Sequence, residues 1–517
     1  MRRWNSFSEL IYFPLEVLYI SSIILGMTGI LFNPNFQIFF SINHPLILSI
    51  LDMLRYLSSF FIQNFSLIFL LRAVYRRNED GMVIIAAFLA YLAFHVGIMF
   101  FAPTNLPTET YSAVLGLRAS ASALATRDMG MLMPFHTGII GALIVMLITR
   151  AVARQLKKRN PYSLFSFVDK NVSVIMGAVF YALIAGVGFA FVWPHIINFL
   201  QSIFNFIARD LNNPINLFIY GGLDRVLKIF NFSDWMHQLF WFSSMGGNWV
   251  DPLGAVFNGD VSMWTAQLAQ NISGFTSGKL ITPYYILNIF AVPAFILAAY
   301  QTYTDRLVRR RLLGFVIAAI VFSVFFGTLL PIEVFLLFTA PLLFLFHLFV
   351  TALLFAILPT FDIIIGYRFT GAISVATPGS IVDLLVLIRN PFYQRALIIL
   401  LFIGLMTFLL YYAVTSYYYH KGAISIINPN EKELVITELL DSLGQVENIK
   451  MINASIGKII VQVHERNYVD FSKIRHRATK IVETRAGYAI SYGASSYMLY
   501  EIISNLKHDD LVVNEGK

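Results

Sequence analysis

The residues best placed to do chemistry are Gly327-Thr328-Leu329-Leu330-Pro331-Ile332-Glu333. They interrupt a long apolar region, between the runs Leu312–Phe326 and Val334–Leu358, and Glu333 is nearly alone there as a charge. A carboxylate at membrane depth is costly and ordinarily faces a bundle interior or a watery cavity. Gly327 and Pro331 interrupt the helix beside it, and broken backbone at that depth persists only where protein or a cavity covers it. Transporters build substrate sites from such discontinuous segments. Glu333 is therefore expected in a substrate site; the plainer alternative is a tilted helix end with Glu333 among lipid headgroups. His347 lies in the following apolar run and reads as a packed, hydrogen-bonded side chain rather than a ligand. Asp260 and Lys279 either pair and line the cavity or sit in a solvated loop. His136 faces either the cavity or the external interface.

The elements that must hold these groups are membrane helices. The chain has 517 residues, of which 57% are hydrophobic and 13% charged, with a mean hydropathy of +0.69. That balance excludes a soluble enzyme and gives a polytopic α-helical membrane protein in contact with lipid. The 48 Phe and 25 Tyr suit lipid contact and interfacial anchoring. The net charge of +8 calls for no nucleic-acid partner, because the basic residues cluster at the ends of apolar runs. Arg2-Arg3 precedes a full-length span without a small-residue cleavage site, so no cleaved signal peptide is expected. Cysteine is absent, which rules out disulfides, thiolate metal sites and cysteine nucleophiles.

In chain order, spans are expected at 11–32, 55–75, 82–102, 134–153 and 171–193. Residues 33–50 read as a partly apolar loop and 103–133 as an external or partly re-entrant piece whose basic residues are Arg118 and Arg127. Basic groups precede spans one, three and five and follow spans two and four, which places the N-terminus in the cytoplasm. Segment 196–209 is amphipathic at helical spacing. Residues 212–279 are too polar for ordinary spans and too apolar for a plain loop, so re-entrant hairpins or a cavity lining fit best. Further spans follow at 283–301, 312–330 and 334–358, then a less apolar 361–390 and a last span at 395–415. The total is about ten spans with re-entrant hairpins. Arg309-Arg310-Arg311 reads as a topology anchor. After Lys421 the composition becomes that of a small soluble domain. Helices are expected at Glu431–Leu443, Ile474–Thr484 and Ser496–Leu506, and strands at Lys458–Val463 and Gly487–Tyr492. The expected division is 1–420 membrane domain, 421–507 cytoplasmic α/β domain and 508–517 disordered tail.

This order of parts resembles the sugar permeases of the phosphoenolpyruvate-dependent phosphotransferase system, in the glucose/N-acetylglucosamine/maltose group. Phe135-His136-Thr137-Gly138-Ile139-Ile140-Gly141 is similar to the family's threonine–glycine start of span four. Tyr220-Gly221-Gly222-Leu223-Asp224-Arg225-Val226-Leu227 is similar to the segment before its paired histidines. Gly259-Asp260, Gly278-Lys279 and Phe290-Ala291-Val292-Pro293-Ala294 match most closely. Gly327 to Glu333 stands where the family has glycine–isoleucine–threonine–glutamate–proline–isoleucine–glutamate, and Pro378-Gly379-Ser380-Ile381-Val382-Asp383 resembles a late serine–glycine–aspartate motif.

The resemblance implies a multi-pass permease of the bacterial cytoplasmic membrane, with scaffold spans over 11–193 and a transport element over 212–390. It implies a homodimer, and a small-molecule sugar bound between scaffold and transport element. It also implies phosphocarrier partners of the EIIA and EIIB kind, and a C-terminal EIIB-like domain built as an antiparallel sheet with helices. Candidate substrate-binding residues are Glu333 and His237, with Asp260 and Lys279 as cavity-lining candidates; the alternative for His237 is an interfacial histidine beside Trp235 and Trp241. No metal and no cofactor is expected, since no zinc spacing, Gly-rich phosphate loop or Ser/His/Asp arrangement is visible.

Three departures fall on the chemistry. The family's phosphoacceptor cysteine is Ser455, within Asn453-Ala454-Ser455-Ile456-Gly457-Lys458, and a hydroxyl needs an activating base that a thiol does not. Gly457, Lys458 and Ile460 replace the family's threonine and two arginines, which weakens the phosphate cradle. Leu330 replaces the first carboxylate of the broken segment, and the paired histidines become Met236-His237 with a small insertion, or Ser233-Asp234 without it. The chain thus resembles a protein-phosphocysteine–sugar phosphotransferase whose catalytic position is degenerate. Two readings follow: a permease for a hexose-like sugar, or a non-catalytic facilitator or membrane sensor derived from one.

Overall fold

The computed structural model describes residues 2–515 apart from 39, 79–80, 104, 113, 121–130, 157–168, 231, 273, 302–305, 369–375, 420–428, 456–457, 476, 479, 485–486 and 493–495. Arg127, Lys421, Ile456 and Gly457, to which the sequence reading gives roles, lie outside the described residues.

The first half is a set of apolar helices. These are α1 (Arg2–Phe32), the short α2 (Pro34–Gln37), α3 (Pro45–Gln63), α4 (Phe65–Asn78) and α5 (Gly81–Phe101). The expected loop at 33–50 is thus partly helical, and the expected span at 55–75 is two helices meeting at Asn64. Pro45 starts α3, where a missing N–H costs nothing. Asn64 ends it, its side-chain amide donating to the Phe60 carbonyl at 2.9 Å. The two-residue strands β1 (Ala119–Ser120) and β2 (Met131–Leu132) pair before α6 (Gly138–Leu156).

Helix α7 (Lys170–Ala208) runs straight through Pro194, where a span end and a separate amphipathic segment are expected. Proline removes one ladder hydrogen bond, and neighbouring helices in a membrane bundle compensate for it. Here α7 packs extensively on α5. The approach is close at Gly186, where a Cβ would lie 2.1 Å from the Phe94 carbonyl oxygen. Small residues at such crossings let membrane helices gain packing that apolar burial alone does not supply.

The second half carries shorter pieces. Region 212–279 becomes α8 (Pro214–Ile229), α9 (Ser233–Phe242), the hairpin β3 (Asn248–Val250)–β4 (Val256–Asn258) and α10 (Asp260–Ala269). Then α11 (Thr282–Ile286), a wide turn at Leu287–Ala291 and α12 (Val292–Gln301) make one apolar stretch. Helix α13 (Arg306–Phe326) leads to the break, followed by α14 (Leu330–Thr339) and α15 (Pro341–Thr360). The run Val334–Leu358, expected as one span, is therefore divided at Ala340. Pro341 disfavours the helical conformation in the residue before it, and Ala340 sits at φ −142°. Of the less apolar 361–390, only α16 (Ile381–Leu387) is helical among the described residues; α17 (Pro391–Tyr417) is the last long apolar helix. Eight described helices are long and apolar enough to cross a membrane, and Phe65–Tyr75 and Leu312–Phe326 are shorter apolar helices.

The C-terminal part has its own core, around Leu439, Leu443, Ile459, Val461, Ile490, Leu499 and Ile503. It comprises α18 (Pro429–Leu443), β5 (Ile449–Ser455), β6 (Lys458–Val463), β7 (Lys480–Thr484), β8 (Gly487–Ser491) and α19 (Ser496–Glu515). The strands form one antiparallel sheet in the order β5-β6-β8-β7. The helix expected over Ile474–Thr484 is corrected: its second half is the edge strand β7. Ile481 and Val482 are β-branched, which suits a pleated edge, and β8 supplies the hydrogen-bonding partner. α19 also runs on to Glu515, past residue 508, where a disordered tail is expected; Leu511-Val512-Val513 extends the apolar content. Helix α18 is tied down by Arg477 to Glu438 at 2.7 Å and Lys473 to Asp441 at 2.9 Å. The Lys473 hydrogen bond holds the Asp441 carboxyl below its ordinary range.

Gly186→Ala should separate α5 from α7 and cost about 1–3 kcal/mol, as overpacking does. A thermal unfolding scan of the detergent-solubilised protein checks this, with Gly188→Ala, where a Cβ meets nothing within 4 Å, as the neutral control.

Candidate functional site

A charged residue inside an apolar fold needs partners, and here the partners converge on Arg225. The last two turns of α8 present Asp224, Arg225 and Lys228. Helix α9 presents His237 and Trp241, one turn apart and stacked with ring centroids 3.9 Å apart. Helix α11 supplies Tyr284, α14 Glu333, α15 His347 and α17 Tyr411.

The guanidinium is held by both carboxylates. Arg225 Nε donates to Asp224 Oδ2 at 2.9 Å, Nη1 to Glu333 Oε1 at 3.0 Å and Nη2 to the Tyr284 hydroxyl at 2.9 Å. Tyr284 in turn donates to Asp224 Oδ2 at 2.5 Å. His237 Nε2 lies 2.6 Å from Asp224 Oδ1. A carboxylate only accepts, so Nε2 carries the proton in this pair. His347 Nε2 lies 3.2 Å from Glu333 Oε1 and its Nδ1 lies 2.9 Å from the Tyr411 hydroxyl. By the same logic Nε2–H donates to Glu333, and Tyr411 donates to Nδ1. Glu333 is fully buried, and its Oε2 has no hydrogen-bond partner among the described residues.

Beside this network is a narrow cleft of about 70 Å³, smaller than the roughly 300–1,000 Å³ typical of small-molecule sites. Arg225, Lys228, His237, Trp241 and Tyr284 line one side of it. The break 327–330 and residues 376–378 line the other. Gly327 turns at φ +62°, which a side chain disfavours, and a Cβ there would meet the Pro378 carbonyl oxygen at 2.8 Å. The late motif fixes this wall. Asn288 Nδ2 donates to the Pro378 carbonyl at 3.0 Å, and Ser380 Oγ donates to the Phe325 carbonyl at 2.7 Å. Asp383 Oδ1 accepts from Asn33 at 2.8 Å and from Asn35 at 2.9 Å.

The residues singled out from sequence divide. Glu333 and His237 join one network, but only His237 lines the cleft; Glu333 stands behind Arg225. His347, read as a packed histidine, is buried and bonded to Glu333. Asp260 lies apart: its two oxygens accept the backbone N–H groups of Gly278 at 2.8 Å and Leu280 at 3.2 Å, so it caps the turn into α11. Lys279 reaches the Asn212 side chain instead of the cleft. Ser455 ends β5 opposite Lys458 at the tip of the β5–β6 hairpin. Asp224, Arg225 and Tyr284 escaped the sequence reading. The signal for the first two was present: an Asp-Arg pair inside a largely apolar stretch.

Arg225→Ala leaves two buried carboxylates without their cation and should cost about 3–5 kcal/mol. Glu333→Gln keeps an acceptor for Arg225 and should cost markedly less. Paired thermal unfolding in detergent separates the two outcomes.

The chain matches the family described as phosphotransferase system, EIIC, over residues 8–352. It is 25% identical over 396 residues to the glucoside-specific EIICBA component of Staphylococcus carnosus, covering 74% of this chain and 54% of that one. It is also 25% identical over 465 residues to the glucose-specific EIICBA component of the same organism, covering 88% and 64%. The chain thus spans between about half and two thirds of the length of these curated relatives. The crystal structure of the transporter ChbC, the IIC component of the N,N'-diacetylchitobiose-specific phosphotransferase system, aligns over 82% of this chain and 96% of that one, at 13% identity and a TM-score of 0.32. The family match alone covers most of the membrane part, and on it the chain belongs to the EIIC family of the phosphotransferase system.

Proposed function

We propose that this protein binds a hexose-like sugar in the cleft beside Arg225 and carries it across the membrane. The observation that carries the reading is the cleft's composition at a helix break: donors from Arg225 and Lys228, hydroxyls from Thr328 and Thr377, and the aromatic walls Trp241 and Tyr284. A sugar alternates hydroxyls with apolar C–H faces, and each buried hydroxyl needs a partner. His237 is the residue through which the site would act on the sugar. Its Nε2 is committed to Asp224, which leaves Nδ1 as an acceptor for a hydroxyl proton. An imidazole oriented by a carboxylate is also the arrangement of a general base. Glu333 is a positioning residue in this reading: it fixes the guanidinium that the sugar meets. The resemblance extends the proposal to a homodimer, an N-terminus and C-terminal domain in the cytoplasm, and EIIA or EIIB phosphocarriers as partners. Asp260 and Lys279 support the site from outside, through the α10–α11 turn.

A second reading is favoured by two specific features. Leu330 places an apolar side chain on the cleft where the family pattern has a carboxylate, and Ser455 stands at the hairpin position of the phosphoacceptor cysteine. A facilitator or sensor that has given up phosphoryl transfer fits both.

Radiolabelled glucose uptake into liposomes, with and without the phosphate-donating proteins, tests the proposal. Saturable uptake is expected, falling about tenfold or more in His237→Ala, the scale of a buried hydroxyl left without its partner. Uptake indifferent to His237→Ala would overturn the site assignment. If transfer persists, Ser455→Ala should abolish labelling of this chain by the phosphocarrier; unchanged labelling removes Ser455 from the chemistry. Leu330→Glu should strengthen glucose binding by about tenfold, through one regained hydrogen bond to a charged acceptor.

A further inference from the structure

A second hollow lies against the first turn of α9. It measures about 170 Å³ and is bounded by the α3–α4 break, residues 109–112 and 114, the start of α6 and the part of α7 around Pro194. It is more polar than a lipid-facing groove and is separate from the Arg225 cleft. Asp234 and Trp235 of α9 line it, whereas His237 and Trp241 of the same helix line the other.

Among its polar groups, the Trp193 and Trp235 indoles and the Glu109 carboxylate have no hydrogen-bond partner among the described residues. Trp193 and Trp235 are 3% and 5% exposed, and their indole N–H groups have no acceptor among the described residues. An indole nitrogen only donates, and buried donors normally find a partner. Glu109 lines the same hollow and is exposed, with no ion-pair or hydrogen-bond partner among the described residues. The rear wall is fixed: Thr137 Oγ1 lies 2.9 Å from His95 Nε2, and His95 Nδ1 lies 2.8 Å from the Tyr91 carbonyl. Ser66 and Tyr91 hydroxyls, 3.3 Å apart, add groups that both donate and accept.

We propose that this hollow is a second binding site for an uncharged carbohydrate. A polyol supplies acceptors to the two indole donors and donors to the Glu109 and Asp234 carboxylates, and its C–H faces pack on the indole rings. A metal ion fits poorly, because no metal-holding group of three His, Cys, Asp or Glu side chains occurs among the described residues. An apolar ligand would leave the donors and carboxylates unpaired. Lys228 Nζ lies 3.6 Å from Asp234 Oδ1, with Lys228 lining the first cleft and Asp234 the second. A hydroxyl bound to Asp234 therefore competes with Lys228, which couples the two sites. The ligand class is that of the Arg225 cleft, so the inference rests on the carbohydrate reading above.

Equilibrium dialysis of the full chain in detergent, with radiolabelled glucose, N-acetylglucosamine and maltose in turn, tests it. Two sugars per chain are expected for at least one probe. The double variant Glu109→Gln/Trp193→Phe should weaken one site about tenfold or more and leave the other, and His237→Ala should do the reverse. A single site lost in His237→Ala and untouched by the double variant overturns this inference and leaves the Arg225 reading standing. A single site lost only in the double variant keeps this site and overturns the other. No saturable binding of any probe to folded protein overturns both.

Discussion

One buried cation between two buried carboxylates holds the centre of this protein together. Arg225 bonds Asp224 from its own helix and Glu333 from a helix that begins at the break. Removing charges from water is expensive, and mutual attraction offsets it only when the geometry is good and the remaining polar atoms are satisfied. Here Tyr284, His237, His347 and Tyr411 supply further hydrogen bonds, while Glu333 Oε2 stays without a partner among the described residues. Helices α8, α9, α11, α14, α15 and α17 thus meet at one polar knot within apolar packing. A shift of any of them changes how the guanidinium is presented to the cleft.

The break at 327–329 exists for the same reason. The break starts a new helix, and Glu333 meets Arg225 from the first turn of α14. Gly327 permits the left-handed turn, and the Pro378 carbonyl lies too close for a side chain there. The late motif Pro378–Asp383 holds that wall through Asn288, Phe325, Asn33 and Asn35. The cleft is therefore made from segments far apart in the chain, each pinned by polar bonds rather than by apolar contact alone.

The departures from the family pattern lie on both parts of the chain, at the cleft wall and at the hairpin tip. In the resemblance, Leu330 stands at the place of a carboxylate and Ser455 at the place of the phosphoacceptor cysteine. The Asp224–Arg225–Glu333 knot, by contrast, is complete.

Hydropathy and motif order alone determined the membrane class, most apolar segments, the family resemblance, the break before Glu333 and the absence of a cysteine nucleophile. These depend on local composition, and each is readable within a window of about 20 residues. Other features needed the tertiary structure. The partner of Glu333 lies 108 positions away, and no local pattern says which of several polar residues will meet it. Asp260 looked like a cavity residue, yet two backbone N–H groups claim its oxygens. The proline at 194 looked like a helix end, yet packing on α5 carries α7 through it. In each case long-range packing chose among partners that the local sequence leaves equally available, because a buried polar group bonds whatever the fold brings within about 3 Å.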